Sequence, residues 1–177
     1  MKNLYLIGGA MGVGKTTVCE KLKKELPDCV FLDGDWCWNA DPFQITPETR
    51  AMVLDNICCL LNNFIHCSAY KNILFCWVMH EQSIIDEILR RLDSGDCRVR
   101  CISLICNDAE LKDRLEGDIK AGIRSGDIVK RSLERIPLYF ALDTMKIDTT
   151  GKTVLEISQE IRRRWMENYI FAFTGSV

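Results

Sequence analysis

Gly9-Ala10-Met11-Gly12-Val13-Gly14-Lys15-Thr16 is a complete GxxxxGK[ST] motif. A short apolar run, Leu4-Tyr5-Leu6-Ile7, precedes it and reads as a buried strand. After it, Val18, Leu22 and Leu26 recur at helical spacing. Strand, loop and helix in that order are the context in which this motif cradles phosphate. Its glycines let the backbone wrap an anion, so that successive N–H groups and the helix N-terminus face the charge. Gly9, Met11, Gly12, Val13, Gly14, Lys15, Thr16 and Thr17 are the expected nucleotide contacts. Lys15 is expected to reach the β- and γ-phosphates, with the Thr16 hydroxyl in a Mg²⁺ shell. A plain strand-to-helix turn needs neither Lys nor Thr. The motif points to a nucleotide and is silent about its use.

Working outward, apolar strands alternate with helical patterns. Strands are expected at Leu4 to Gly8, Cys29 to Asp33, Asn72 to Met79, Val99 to Cys106 and Met145 to Asp148. Between them, Val53, Ile57, Leu60, Leu61 and Phe64 form one helical face after the start signal Thr46-Pro47-Glu48. Ile84, Ile85, Ile88, Leu89 and Leu92 form a second, and Val154, Ile157, Ile161 and Trp165 a third. Apolar strands each followed by a helix indicate an α/β fold with a parallel sheet covered on both faces. No repeat or Pro/Gly linker divides the chain, so residues 1–177 are expected to form a single domain. Gly34 to Thr46 and Glu116 to Arg135 break the rhythm, and irregular segments of this kind build sites at strand ends.

The 177 residues are 47% hydrophobic and 27% charged, an ordinary globular balance. A formal net charge of −2 argues against nucleic acid or an anionic membrane as the main partner. No stretch approaches the ~20 apolar residues of a membrane span. Met1-Lys2-Asn3 runs straight into the first strand, so no signal peptide and a cytoplasmic location are expected. Ten cysteines without a CxxC, and only His66 and His80 besides, read as reduced structural thiols rather than a zinc site. Cys76, Cys101, Cys58 and Cys59 are expected on apolar faces. Monomer and homodimer both remain open.

A DxxG with an NKxD would signal a GTPase, and neither is present. A ring ATPase needs far more chain and paired carboxylates on the third strand, whereas Phe75-Cys76-Trp77-Val78-Met79-His80-Glu81 has no Asp at its tip. With the loop, Leu32-Asp33-Gly34-Asp35, the Arg-rich segment and Ile147-Asp148-Thr149-Thr150, the chain resembles the small P-loop kinases. These are the nucleoside-monophosphate, shikimate, gluconate and adenylylsulfate kinases, with antibiotic phosphotransferases nearby. It is also similar to bacterial proteins labelled only as nucleotide kinase or AAA-type ATPase. The resemblance covers almost the whole chain. It implies a three-layer α/β/α P-loop NTPase fold, sheet order 2-3-1-4-5, and a helical lid at about 116–135. It also implies ATP as donor, Mg²⁺, and a small-molecule hydroxyl or phosphate acceptor.

Asp33 and Asp35 point to one side of an extended chain at a strand end. The resemblance implies that Asp33 serves the metal and that Asp35 accepts or orients the acceptor's hydroxyl. If the acceptor is a phosphate, Asp35 only positions it. A solvated Asp-Gly-Asp turn is the plain alternative. By the same resemblance Arg114 stacks on adenine, Arg124 reaches the phosphates from the lid with Arg131 a weaker candidate, and Thr150 belongs to the loop framing adenine. Thr150 also fits a helix start, and i,i+4 pairing offers these arginines a plain surface role. Arg135 is read as surface. Trp36, Trp38, Arg50, Asn56, Trp77 and His80 are the residues available to an acceptor pocket. Trp36 and Trp38 either stack a base or sugar or cap a helix pair, and Trp77, within an apolar strand, fits the core better than a pocket wall. The competing reading is a P-loop ATPase or nucleotide-dependent switch that works through a protein partner without a small acceptor.

Overall fold

In the computed structural model, residues 1–124 and 127–174 are described, with side chains through Trp165. Five strands form one sheet: β1 (Lys2–Gly9), β2 (Cys29–Asp33), β3 (Asn72–Trp77), β4 (Cys97–Ile105) and β5 (Met145–Asp148). Its order is β2-β3-β1-β4-β5, as the resemblance implies, and every pairing is parallel. Leu4, Tyr5, Leu6 and Ile7 are successive residues exposed by 2% or less. Side chains alternate across a strand, so both faces of the sheet are covered.

The helices are α1 (Lys15–Glu25), α2 (Pro47–His66), α3 (Gln82–Arg91), α4 (Asp108–Lys120), α5 (Ile128–Phe140) and α6 (Val154–Thr174). Helix α1 packs on β2, β3 and α6, α2 on β3 and α3, and α4 on α5. Thr46 opens α2 with a reciprocal capping box, its hydroxyl accepting from Thr49 N at 3.1 Å and Thr49 Oγ1 accepting from Thr46 N at 2.9 Å. The inward stripe of α2 runs Val53, Ile57, Cys58, Leu61 and Ile65. Leu60 is exposed, contrary to expectation, because a 100° step per residue carries it off that stripe. Cys59 turns outward for the same reason. All ten cysteines are free, and Cys19, Cys58, Cys76 and Cys106 are buried as small hydrophobes.

Strand β3 stops at Trp77, two residues before the expected end, where Met79 N turns back to Trp77 O at 3.1 Å. Of the segment 116–135, expected as a lid, α4 supplies the start and α5 the end, while Ser125 and Gly126 lie outside the described residues. Among the described residues no helix is long and apolar enough to cross a membrane. Parallel pairing sets Gly8 opposite Trp77 and Asp33 opposite Cys76. The C-terminal tips of β1, β2 and β3 therefore stand side by side, and the site forms there.

Candidate active site

The loop leaves β1 and turns at Gly12 and Gly14, whose φ angles of 83° and 100° favour glycine. A Cβ on Gly12 would lie 2.6 Å from Leu115 Cδ2, so the turn also needs the missing side chain to sit against α4. Helix α1 begins at Lys15, and its free N–H groups face the loop's hollow. Lys15 Nζ donates to Gly9 O at 2.9 Å and Ala10 O at 3.0 Å. Burial lowers its pKa from the ordinary lysine value, while Asp35 and Asp33 act in the opposite sense.

A cavity of about 530 Å³ lies over this loop. Met11, Gly12, Val13, Gly14, Lys15, Thr16 and Thr17 line it together with Asp33, Asp35, Arg114, Asp118 and Arg124. Its far wall is Lys152, Thr153, Val154 and Ile157. Gly9 stands behind the loop as the acceptor for Lys15. Thr150 lies outside this lining: its hydroxyl accepts from Asn107 N at 2.9 Å, tying the β5–α6 loop to the start of α4. Thr150 does not start α6, because Thr153 and Glu156 close a capping pair at Val154.

Asp33 is 6% exposed and joins two elements. Its Oδ2 accepts from Thr16 Oγ1 at 2.7 Å, and its Oδ1 accepts from Asp35 N at 3.1 Å, capping a 3₁₀ turn over Gly34–Trp38. Asp35 opens toward the cavity. Partial burial, then the Asp33 carboxylate, raises its pKa above the ordinary aspartate value, with Lys15, the Trp77 indole and Arg124 pulling it back. Gly34 lets Trp77 pack tightly against this turn, since a Cβ there would lie 2.6 Å from two of its ring atoms.

Arg114 is held along the wall rather than left free. Its guanidinium donates to Val13 O at 3.2 Å and to Thr149 O at 3.1 Å, and it pairs with Glu110. Arg124 donates to Asp118 Oδ2 at 2.9 Å at the cavity edge.

A second cavity of about 380 Å³ adjoins the first, with Met11 in the walls of both. Trp38, Phe43, Ile45, Leu54, Trp77, Val78 and Ile84 give it an apolar interior, and Arg50, His80, Glu81, Arg131 and Arg135 its polar groups. Burial, then Arg135, lowers the His80 pKa below the ordinary histidine value. Arg131 reaches Asp127 at 3.0 Å. Trp36 lines neither cavity: it is 57% exposed and packs edge-on against Phe31, with centroids 5.2 Å apart. Asn56 likewise turns away and donates to Cys37 O at 3.2 Å. Arg135 enters the second cavity although it was read as surface; its i,i+4 spacing from Arg131 on α5 was the available signal. Phe43, Ile45 and Leu54 in that cavity, and Asp118 and Lys152 in the first, were not singled out from sequence.

The residues fit the groups the loop implies. Thr16 and Asp33 offer two hard oxygen donors side by side, which suits Mg²⁺, an ion that keeps waters and substrate phosphates as its other ligands. Among the described residues no cluster of three or more His, Cys, Asp or Glu forms an all-protein cage. The glycine turns and the α1 N-terminus supply an anion cradle of the kind a triphosphate needs.

Sheet order, loop and helix together define a protein of the P-loop NTPase class. The chain belongs to the AAA domain family, whose model matches residues 6–133. Among solved structures, its fold is similar to a gluconokinase from Sinorhizobium meliloti 1021 at a TM-score of 0.68. Identity there is 18%, over 96% of this chain and 97% of that one. The Deinococcus radiodurans tunicamycin resistance protein gives 0.67 at 17% identity, covering 93% and 95% of the two chains. Shikimate kinase from Acinetobacter baumannii gives 0.63 at 21% identity, covering 95% and 94%. No curated protein matches the chain in sequence.

Proposed function

We propose that this protein is an ATP-dependent phosphotransferase that moves the γ-phosphoryl group to a small-molecule acceptor. The observation that carries this reading is the shared wall at Met11, which sets a pocket with apolar and cationic lining directly beside the phosphate-loop cavity. The kinase folds of the structural neighbours agree with it.

In the proposed reaction the acceptor oxygen bonds the γ-phosphorus while the bond to the β,γ-bridging oxygen breaks and ADP leaves. Lys15 and Arg124 neutralise charge on the phosphoryl oxygens, and Arg114 fixes the loop by holding Val13 O. Thr16 and Asp33 would hold Mg²⁺, which neutralises phosphate charge when bound. Asp35 orients a hydroxyl acceptor and takes its proton; its raised pKa suits proton transfer better than an ordinary aspartate would. With a phosphate acceptor, Asp35 positions only.

The test is ADP formation with ATP and Mg²⁺ across a metabolite panel. Acceptor-stimulated turnover that Asp35→Asn lowers by about 10²-fold or more, with ATP binding retained, is the expected outcome for a hydroxyl acceptor. Turnover indifferent to every acceptor, together with nucleotide-dependent capture of a protein, would reject the kinase in favour of the switch.

A further inference from the structure

The second cavity has a chemistry narrower than "small molecule". Two of its rings, Trp38 and Phe43, lie with centroids 4.7 Å apart and an interplanar angle of 36°, and Trp77 adds a third ring. Against this apolar body stand three guanidinium groups, Arg50, Arg131 and Arg135, one carboxylate, Glu81, and the His80 imidazole. Arg131 is already paired with Asp127. Arg50 and Arg135 make no ion pair among the described residues. Among the described residues this lining holds no Asn, Gln, Ser or Thr side chain, and His80 is its one neutral polar group besides the indole N–H groups.

Each half of this lining selects something. Aromatic faces reward a flat, weakly hydrated body, through burial and offset stacking worth about 0.5–1.5 kcal/mol per ring pair. Guanidinium groups without a carboxylate partner, set beside apolar surface, lose hydration when the pocket fills and recover it only from an anion. A polyol would leave the rings without a flat partner and would have only the arginines, His80 and Glu81 to meet its hydroxyls.

Resting on the kinase reading above, we infer that the acceptor is a planar, largely apolar molecule bearing one phosphate or carboxylate. Its flat body packs against Trp38 and Phe43, and its anion is met by Arg50 and Arg135. The oxygen that accepts the phosphoryl group, a hydroxyl or an oxygen of that anion, faces Met11, where the two cavities meet. Met11 thereby limits how far the acceptor can advance toward the phosphate loop.

Isothermal titration calorimetry on the protein with ADP and Mg²⁺ tests this without requiring turnover. The flat anions are uridine 5′-monophosphate, adenosine 5′-monophosphate and 4-hydroxybenzoate. Uridine is the flat neutral probe, and gluconate the anionic polyol. At least one flat anion should bind tenfold or more tighter than both uridine and gluconate. Arg135→Gln should erase its advantage over uridine, and Trp38→Leu its advantage over gluconate. Arg50→Gln, at an exposed position, repeats the charge test should Arg135→Gln fail to fold. The inference falls if uridine or gluconate binds as tightly as the best flat anion, if no flat anion binds, or if the arginine substitutions leave the charge preference intact. Flat anions that bind while ADP formation stays indifferent to them and to every other acceptor of the panel would sustain the pocket's chemistry and overturn the kinase reading. Turnover with gluconate but no flat anion would do the reverse.

Discussion

Thr16 Oγ1 donates to Asp33 Oδ2 at 2.7 Å, linking the first turn of α1 to the tip of β2. The same carboxylate caps the 3₁₀ turn that carries Asp35, so one side chain positions a metal ligand and the proposed acceptor-side group together. In Asp33→Asn the remaining amide oxygen can still accept from Asp35 N, so the turn survives while the negative charge is lost. The Mg²⁺ concentration needed for half-maximal ADP formation should rise by about 10- to 100-fold, with little change in melting temperature. Magnesium titration of turnover checks it, and an unchanged requirement would remove Asp33 from the metal site.

Asp35 should trade stability for function. Its folded pKa is raised, so between the unfolded value of about 3.9 and that raised value the folded state binds more protons than the unfolded one. Stability from this group therefore falls as pH rises through the window and is lost above the raised pKa. Asp35→Asn lacks the charge, and should melt higher at pH 7 while losing transfer. Below the unfolded pKa both forms are neutral and the gap should close. Thermal melts at pH 7 and pH 3.5 measure it; a destabilised Asp35→Asn would contradict the electrostatic account.

His80 should titrate in the opposite sense. Its lowered pKa means the unfolded chain binds more protons between the folded value and about 6.5. Stability contributed by neutral His80 is full above that range and is lost as pH falls through it. Glu81 at 3.5 Å opposes the shift, while Arg135 and Arg50 reinforce it. An anion held by those arginines should move the His80 titration back upward, which NMR of the imbedded imidazole resonance with and without 4-hydroxybenzoate will detect. No movement on binding would place the anion elsewhere.

The sheet was legible because the loop motif and five apolar runs are local signals, each contained within a few residues. The donor cavity was legible where the motif itself supplied the contacts, from Met11 to Thr17. Its far wall was not, because Lys152 and Thr153 reach it only through the β4–β5 pairing and the Thr149 N to Ile105 O bond at 2.7 Å. The second cavity was least legible. Leu54 and Arg135 carry helix periodicity that fits a surface or core role equally well, and only the packing of α2, α5 and the Trp38–Phe43 segment brings them together. Of the paired tryptophans, sequence offered no way to tell that Trp38 faces inward and Trp36 packs on Phe31.

Arg114 ties the loop to the β5–α6 connection through Val13 O and Thr149 O. Arg114→Ala leaves both carbonyls without that donor and leaves Glu110 without its cation. Nucleotide affinity should fall about tenfold, equivalent to about 1.4 kcal/mol, with the loss in ADP as well as ATP. Calorimetry with each nucleotide decides this. A defect confined to turnover, with unchanged binding, would assign Arg114 to the transition state instead.

Gly34 is the position where a single added methyl should disturb both cavities. Its Cβ would meet Trp77 Cγ and Cδ1 at 2.6 Å each and Trp77 Cβ at 3.0 Å, and the Cβ is not a flexible end that can swing aside. Overpacking of this kind costs about 1–3 kcal/mol. Trp77 lines the second cavity and its indole pulls the Asp35 pKa down, so displacement should weaken acceptor binding and raise that pKa further. Gly34→Ala should therefore lower the urea midpoint, raise the acceptor KM, and leave ADP affinity close to that of the unaltered protein. Loss of ADP binding in step with the acceptor would mean that the turn over Gly34–Trp38 supports the phosphate loop as a whole rather than the acceptor side alone.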